Sequence, residues 1–198
     1  MDAGAWDERY SQKDLLWTAE PNRFLVSEVE SLSPGRALDL ACGEGRNSVW
    51  LAARGWAVVG VDFSPIGLDK AAALADHLGV EVEWVLSDVT TYEPEREAFD
   101  LVVVLYLQLP VDELGLALSN ASSALAPGGT LLVVAHHPEN IAGGFAGPQD
   151  PTILQTQQQL AAVLPGLEIE KAERVTRDAE KDGESGVAID ALVRARKG

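Results

Sequence analysis

Apolar residues along this chain fall into two patterns: short, nearly unbroken runs, and stretches with helical period. Residues 37–40, 58–61, 99–107 and 130–135 are such runs, the last two of the kind that a sheet buries on both faces. Residues 80–86 alternate valine with glutamate and predict a half-exposed edge strand. Helical stretches lie between them. One covers 47–54 and closes at Gly55; the next is capped by Ser64, has Pro65 in its first position and ends at Gly79. A third covers 112–126 and runs into a Pro127-Gly128-Gly129 turn. Upstream, Asn22 caps a helix to about Leu32, broken by Ser33-Pro34-Gly35. Downstream, 136–152 reads as a long loop and 152–164 as a helix. Residues 167–177 and 187–196 read as two longer strands joined across the charged stretch 178–186.

Strand–helix alternation followed by a hairpin predicts an α/β fold: a doubly wound, mostly parallel seven-stranded sheet finished by a C-terminal antiparallel hairpin. With 198 residues, one domain is expected. Its parts are an N-terminal helical lid segment (1–33), a ligand-binding half (34–135), and a loop, helix and hairpin on the substrate side (136–198). Composition changes this picture little, but charge narrows it. The 31 acids against 15 Lys and Arg give a net charge of −16, which disfavours nonspecific binding to nucleic acid. Arg194, Arg196 and Lys197 are the one basic cluster, read more simply as a soluble terminal strand. Cys42 is the only cysteine, the N-terminus lacks a basic and apolar leader, and no apolar run is long enough for a bilayer. The expectation is a soluble cytoplasmic domain with no membrane partner. The sequence does not set an oligomeric state.

The chemistry concentrates at the predicted strand ends. Asp39 lies within the first strand-to-loop passage, and Ala41, Gly43 and Gly45 are small at alternate positions, so the backbone can pass close to a ligand. The following helix, opening at Asn47, offers its N-terminal amides to a polar group. Glycines spaced this way also occur purely for packing; Asp39 tips the balance, because it would repel a pyrophosphate and attract a cationic head. An ammonium and a sulfonium carried on adenosine, S-adenosylmethionine (SAM), fit that description. Asp62, 23 residues after Asp39, is placed to accept two ribose hydroxyls, with Phe63 beside it to cover adenine and Ser64 following as helix cap. Asp88 and Val89, after the third strand, can take the adenine amine and a ring nitrogen, although an Asp there is also a common turn residue. Three carboxylates at three strand ends are costly to cluster without a ligand that uses them. No metal-ligand cluster is expected.

Asp39 through Ser48, the following Trp50 through Trp56, Val61-Asp62 and the Pro127-Gly128-Gly129 turn resemble the class I SAM-dependent methyltransferases. The wording Cys42-Gly43-Glu44-Gly45-Arg46-Asn47-Ser48 is similar to the tellurite-resistance methyltransferases and their small bacterial relatives. The resemblance spans roughly residues 1–135 and implies a Rossmann-like fold with SAM as cofactor. It puts Asp39, Cys42 and Gly43 at the methionine end, Asp62 at the ribose, Asp88 and Val89 at the adenine, and the Leu105 carbonyl at the ammonium. Ala41 departs from the family's glycine, and its small size is expected to be tolerated. In related enzymes a leading segment folds over the cofactor, which makes Tyr10 and Trp17 candidate contacts; the same aromatics could simply anchor a surface helix.

Methyl transfer needs approach geometry and a dry site, and needs a general base only when the acceptor arrives protonated. Tyr106, His136 and His137 follow the fourth and fifth strands, and substrate contact is the more natural expectation for them than proton abstraction. Cys42 reads as a small wall residue. The glycine-rich stretch 143–150 is mobile by composition and placed to close over a substrate. The leading expectation is a methyltransferase acting on a small molecule. The alternatives are a SAM-binding regulatory or scaffold module and, weakest, an NAD-dependent oxidoreductase, which would want a glycine where Ser48 stands.

Overall fold

The computed structural model describes residues 3–12, 18–164, 166–181 and 183–198. Helix α1 (Ala3–Ser11) and α2 (Arg23–Val29) precede β1 (Arg36–Leu40), α3 (Arg46–Ala52), β2 (Ala57–Asp62), α4 (Pro65–Leu78), β3 (Glu83–Leu86), β4 (Phe99–Leu105), α5 (Val111–Ala124) and β5 (Leu125–His136). A one-turn helix α6 (Asn140–Gly143), a 3-10 turn (Pro151–Ile153), α7 (Gln157–Ala162), β6 (Leu167–Lys181) and β7 (Glu184–Lys197) complete the chain. The strands form one sheet in the order β3-β2-β1-β4-β5-β7-β6, with β1 to β5 parallel and β7 antiparallel to both of its neighbours.

The strand alternation feeds two cores. Leu38, Leu40, Val102, Val104, Leu131 and Val133 meet Leu114, Leu118 and Ala121 of α5 and Leu160 of α7 on one face. Ala37, Val58, Leu101, Val103, Leu132 and Val134 meet Phe24, Leu25, Leu51 and Trp56 on the other. Burial on both faces explains why β4 and β5 read as unbroken apolar runs.

Several elements differ from the sequence expectation for local reasons. The fourth strand stops at Leu105 instead of 107 because Tyr106 turns left-handed (φ +60°). The Pro127-Gly128-Gly129 turn is a bulge near the start of β5: Phe99 pairs with Leu125 and Leu101 with Thr130, and the residues between loop out around Gly128 (φ +81°). The helix expected at 152–164 is split. Thr156 accepts from the Gln159 amide at 3.2 Å while the Gln159 side chain accepts from the Thr156 amide at 2.8 Å, a capping box that starts α7 afresh. The loop expected over 136–152 contains α6, and the hairpin strands extend further than 167–177 and 187–196, with Lys181 pairing with Glu184.

Candidate functional site

The loop between β1 and α3 turns left-handed three times within five residues. Ala41, Gly43 and Gly45 all have positive φ, at 63°, 56° and 76°. The Ala41 departure is therefore a matter of conformation as well as size, since an L residue in this region costs roughly 1–2 kcal/mol. A Cβ on Gly45 would meet Ala71 Cβ at 2.6 Å and Trp84 at 2.7 Å, and one on Gly43 would meet the Tyr10 hydroxyl at 2.8 Å. Trp84 of the edge strand lies over Gly60 and Gly45, so the loop is held from outside by an aromatic face.

Asp62 ends β2 and is the hub of this region. Its Oδ2 accepts from the Gly43 amide at 2.8 Å and its Oδ1 from the Ser64 amide at 2.9 Å. Burial raises its pKa, with the amide hydrogen bonds opposing and the nearby Asp7 carboxylate adding to the rise. Asp39 is 1% exposed and accepts from Ser48 Oγ at 2.6 Å. Burial pushes its pKa up to about 6, against the hydrogen bond from Ser48 and with help from Asp62. Its carboxylate lies beneath the loop and does not border the adjoining cavity. Ser64 is likewise withdrawn: fully buried, it caps α4 through the Gly67 amide and hydrogen-bonds Asp7 of α1.

A cavity of about 850 Å³ runs along the carboxyl ends of the strands. Cys42, Gly43, Asn47, Asp62, Phe63, Asp88, Val89, Leu105, Tyr106 and His136 all border it, as does Tyr10. Asn47 also accepts from the Asn22 amide at 2.9 Å, tying α3 to the cap of α2. Asp88 is exposed and forms a local turn through the Thr90 amide and hydroxyl. The Cys42 thiol is pushed well up by burial and the charges of Asp39 and Asp62, which suits a wall residue and not a nucleophile. Trp6 and Tyr10 of α1, stacked 5.6 Å apart, roof this end. Trp17 lies outside the described residues. The stretch 143–150 does not border the cavity. Instead Asn140 pins that loop, accepting from the Ile189 amide at 2.8 Å and donating to the Ala146 carbonyl at 2.7 Å.

The far end of the cavity is built differently. Tyr106, left-handed at the tip of β4, lays its ring 4.5 Å from that of His136 and donates from its hydroxyl to Asp190 Oδ2 at 2.7 Å. Arg177 Nε donates to the same oxygen at 2.8 Å, and His136 Nδ1 sits 3.2 Å from the other. Burial and the Asp190 charge hold the Tyr106 hydroxyl far above its usual range, so it keeps its proton. Arg46, in the first turn of α3, also reaches the cavity, its pKa lowered by burial. His137 does not join this group: it is buried away from the cavity and accepts from the Glu139 amide through Nδ1. The sequence reading missed Arg46, Arg177 and Asp190. Arg46 stood in plain view inside the glycine loop, whereas the other two are brought in only by the register of the hairpin.

Residues 37–129 match the family model of the methyltransferase domain. The chain is 34% identical over 124 residues to a trans-aconitate 2-methyltransferase of Methylobacterium radiotolerans, a match covering 62% of this chain and 45% of that one. It spans about half the length of the curated relatives it matches. Among solved structures, TehB from Haemophilus influenzae is similar with a TM-score of 0.77 at 19% identity, over 99% of this chain and 67% of that one. The N-methyltransferase NodS from Bradyrhizobium japonicum, solved with S-adenosylhomocysteine, is similar at 0.71 and 20%, over 98% and 97%. The sheet order and these likenesses give the chain a Rossmann-like methyltransferase fold, with the match to the methyltransferase domain covering residues 37–129.

Proposed function

We propose that this chain transfers a methyl group from SAM to a small-molecule acceptor held at the Tyr106–His136 end of the cavity. The observation that carries the reading is one continuous cavity with two chemically distinct ends. At one end Glu44, Asp62 and Asp88 border the cavity and Asp39 lies beneath it, a setting that favours a cationic ligand. The side-chain-free backbone at Gly43 passes close under the Tyr10 hydroxyl at the cavity wall. These residues fit SAM. Asp62 would accept from the ribose, Phe63, Asp88 and Val89 would frame the adenine, and Arg46 would meet the carboxylate of the methionine part.

When bound, SAM supplies an electrophilic methyl group. The chain's own residues then have three tasks: to orient, to exclude water, and to manage the acceptor's proton. Trp6 and Tyr10 cover one end, and the buried walls Cys42, Val89 and Leu105 keep the floor apolar. About 850 Å³ is near the upper end of the roughly 300–1,000 Å³ range of small-molecule clefts, room for a nucleoside ligand and a modest second molecule. The charge of −16 also favours a small acceptor over a phosphate backbone.

The test is release of S-adenosylhomocysteine over a panel of small acceptors. Acceptor-dependent release is the expected result. Tight SAM binding with no release from any acceptor would instead make the chain a SAM-binding module.

A further inference from the structure

We propose that His136 is the general base for the acceptor and that Asp190 is its positioning residue, so that the acceptor atom is a hydroxyl oxygen. This deepens the methyltransferase reading and rests on it.

The pair is built by sheet register. His136 stands directly opposite Asp190 in the antiparallel β5–β7 ladder, where facing side chains are close neighbours. Asp190 in turn pairs with Val175, which puts Arg177 diagonally beside it on β6. Asp190 is 0% exposed and is the one acid in the row. Three donors converge on its two oxygens: Tyr106 Oη, Arg177 Nε and His136 Nδ1. A carboxylate can only accept, so the His136 contact requires a proton on Nδ1. Nε2 then carries the lone pair of the neutral ring. It has no protein partner among the described residues, and the ring borders the cavity.

The surrounding groups favour this assignment. Tyr106 packs over the ring and keeps its own proton; Arg177 on β6 holds the far oxygen of Asp190; Arg46 on α3 and Glu113 on α5 border the same cavity. His137 is turned to the Glu139 amide. Tyr106 adopts its left-handed backbone at this spot, and a strained non-glycine residue at a cavity commonly marks a site that needs the geometry. Burial would raise the Asp190 pKa, but the hydrogen bond from His136 and the charge of Arg177 hold it below the ordinary range, so it stays ionised.

The reaction balances without a further reagent. As the acceptor oxygen bonds to the methyl carbon, the carbon–sulfur pair stays on sulfur and the O–H proton passes to His136 Nε2. Asp190 stabilises the imidazolium, which later gives the proton to water. A thiolate or thioether acceptor would not use the base, because it carries no proton to remove.

Nitrogen NMR of histidine-labelled protein reads the geometry without turnover; the three histidines are told apart with His136→Gln. The expected pattern for neutral His136 is a protonated Nδ1 and a bare Nε2, lost in Asp190→Asn. Kinetics then compare phenols and aliphatic alcohols with thiophenols, which are thiolates at neutral pH. His136→Gln should lower kcat for hydroxyl acceptors by about 100-fold or more and remove the rising limb of the pH profile, with a loss at least tenfold smaller for thiolates. A proton on Nε2 of neutral His136, equal losses for both acceptor types, or wild-type turnover of thiols alone or of no acceptor overturns the proposal. SAM binding by both variants is measured alongside. Failure of the wild-type protein to bind SAM would overturn the methyltransferase reading itself.

Discussion

Asp39 shows what a buried acid beneath the β1–α3 loop does to stability. Its folded pKa of about 6 lies above the ordinary carboxylate value, so the folded chain holds the proton more tightly than the unfolded one. The stability this contributes is complete below about pH 4 and is lost as pH rises through about 6, a change of about 3 kcal/mol. Asp39→Asn should therefore match the wild type near pH 4 and exceed it at pH 7.5 by roughly 2–3 kcal/mol, read by urea unfolding at the two pH values. An equal difference at both would contradict the account. The same carboxylate favours a cation nearby when ionised, so SAM affinity should weaken as pH falls below about 6. The sequence puts Asp39 at the methionine end, to meet a cationic head directly or through water; the structure buries it one layer below the cavity, with Ser48 on its carboxylate.

At the scale of elements, the β1–α3 loop is where a left-handed backbone meets the cavity wall. Gly45→Ala adds left-handed strain to a collision with Ala71 and Trp84, and should cost about 3 kcal/mol in unfolding free energy. Ala41→Gly relieves strain of roughly 1–2 kcal/mol but adds unfolded-state freedom of about 0.5–1, so it should be neutral to mildly stabilising. A large loss in Ala41→Gly would show that the loop conformation is misplaced. This loop and the strands around it were legible because their signals are local: glycine spacing, an Asn22 or Ser64 cap, an apolar run. The split at Thr156 was legible only as a capping box, and the propensity of the flanking residues masked it. The cluster of His136, Asp190 and Arg177 was not legible, because it depends on a one-residue register between strands 54 positions apart in the chain. The place of α1 beside the cavity was half visible. Tyr10 was named as a contact, while its neighbour Trp6 was not.

At the scale of the whole molecule, the two faces of the sheet carry the cores and its carboxyl edge carries the chemistry, as the crossing order of a doubly wound sheet dictates. The β7–β6 hairpin extends that edge and adds Arg177 and Asp190 to it, which gives the second end of the cavity a chemistry of its own. No helix among the described residues is long and apolar enough to cross a membrane. On the proposed function, the acidic end of the cavity binds SAM, with Asp62 as its anchor. The direct measurement is the shift in melting temperature on adding SAM, each variant referred to its own ligand-free value because Asp62 also holds the Gly43 and Ser64 amides. Saturation near 100 times Kd adds about 2.7 kcal/mol, a rise on the order of 5–10 °C for a chain of this size. The wild type should show that rise and Asp62→Ala should lose most of it; a wild-type protein unmoved by millimolar SAM would contradict the account.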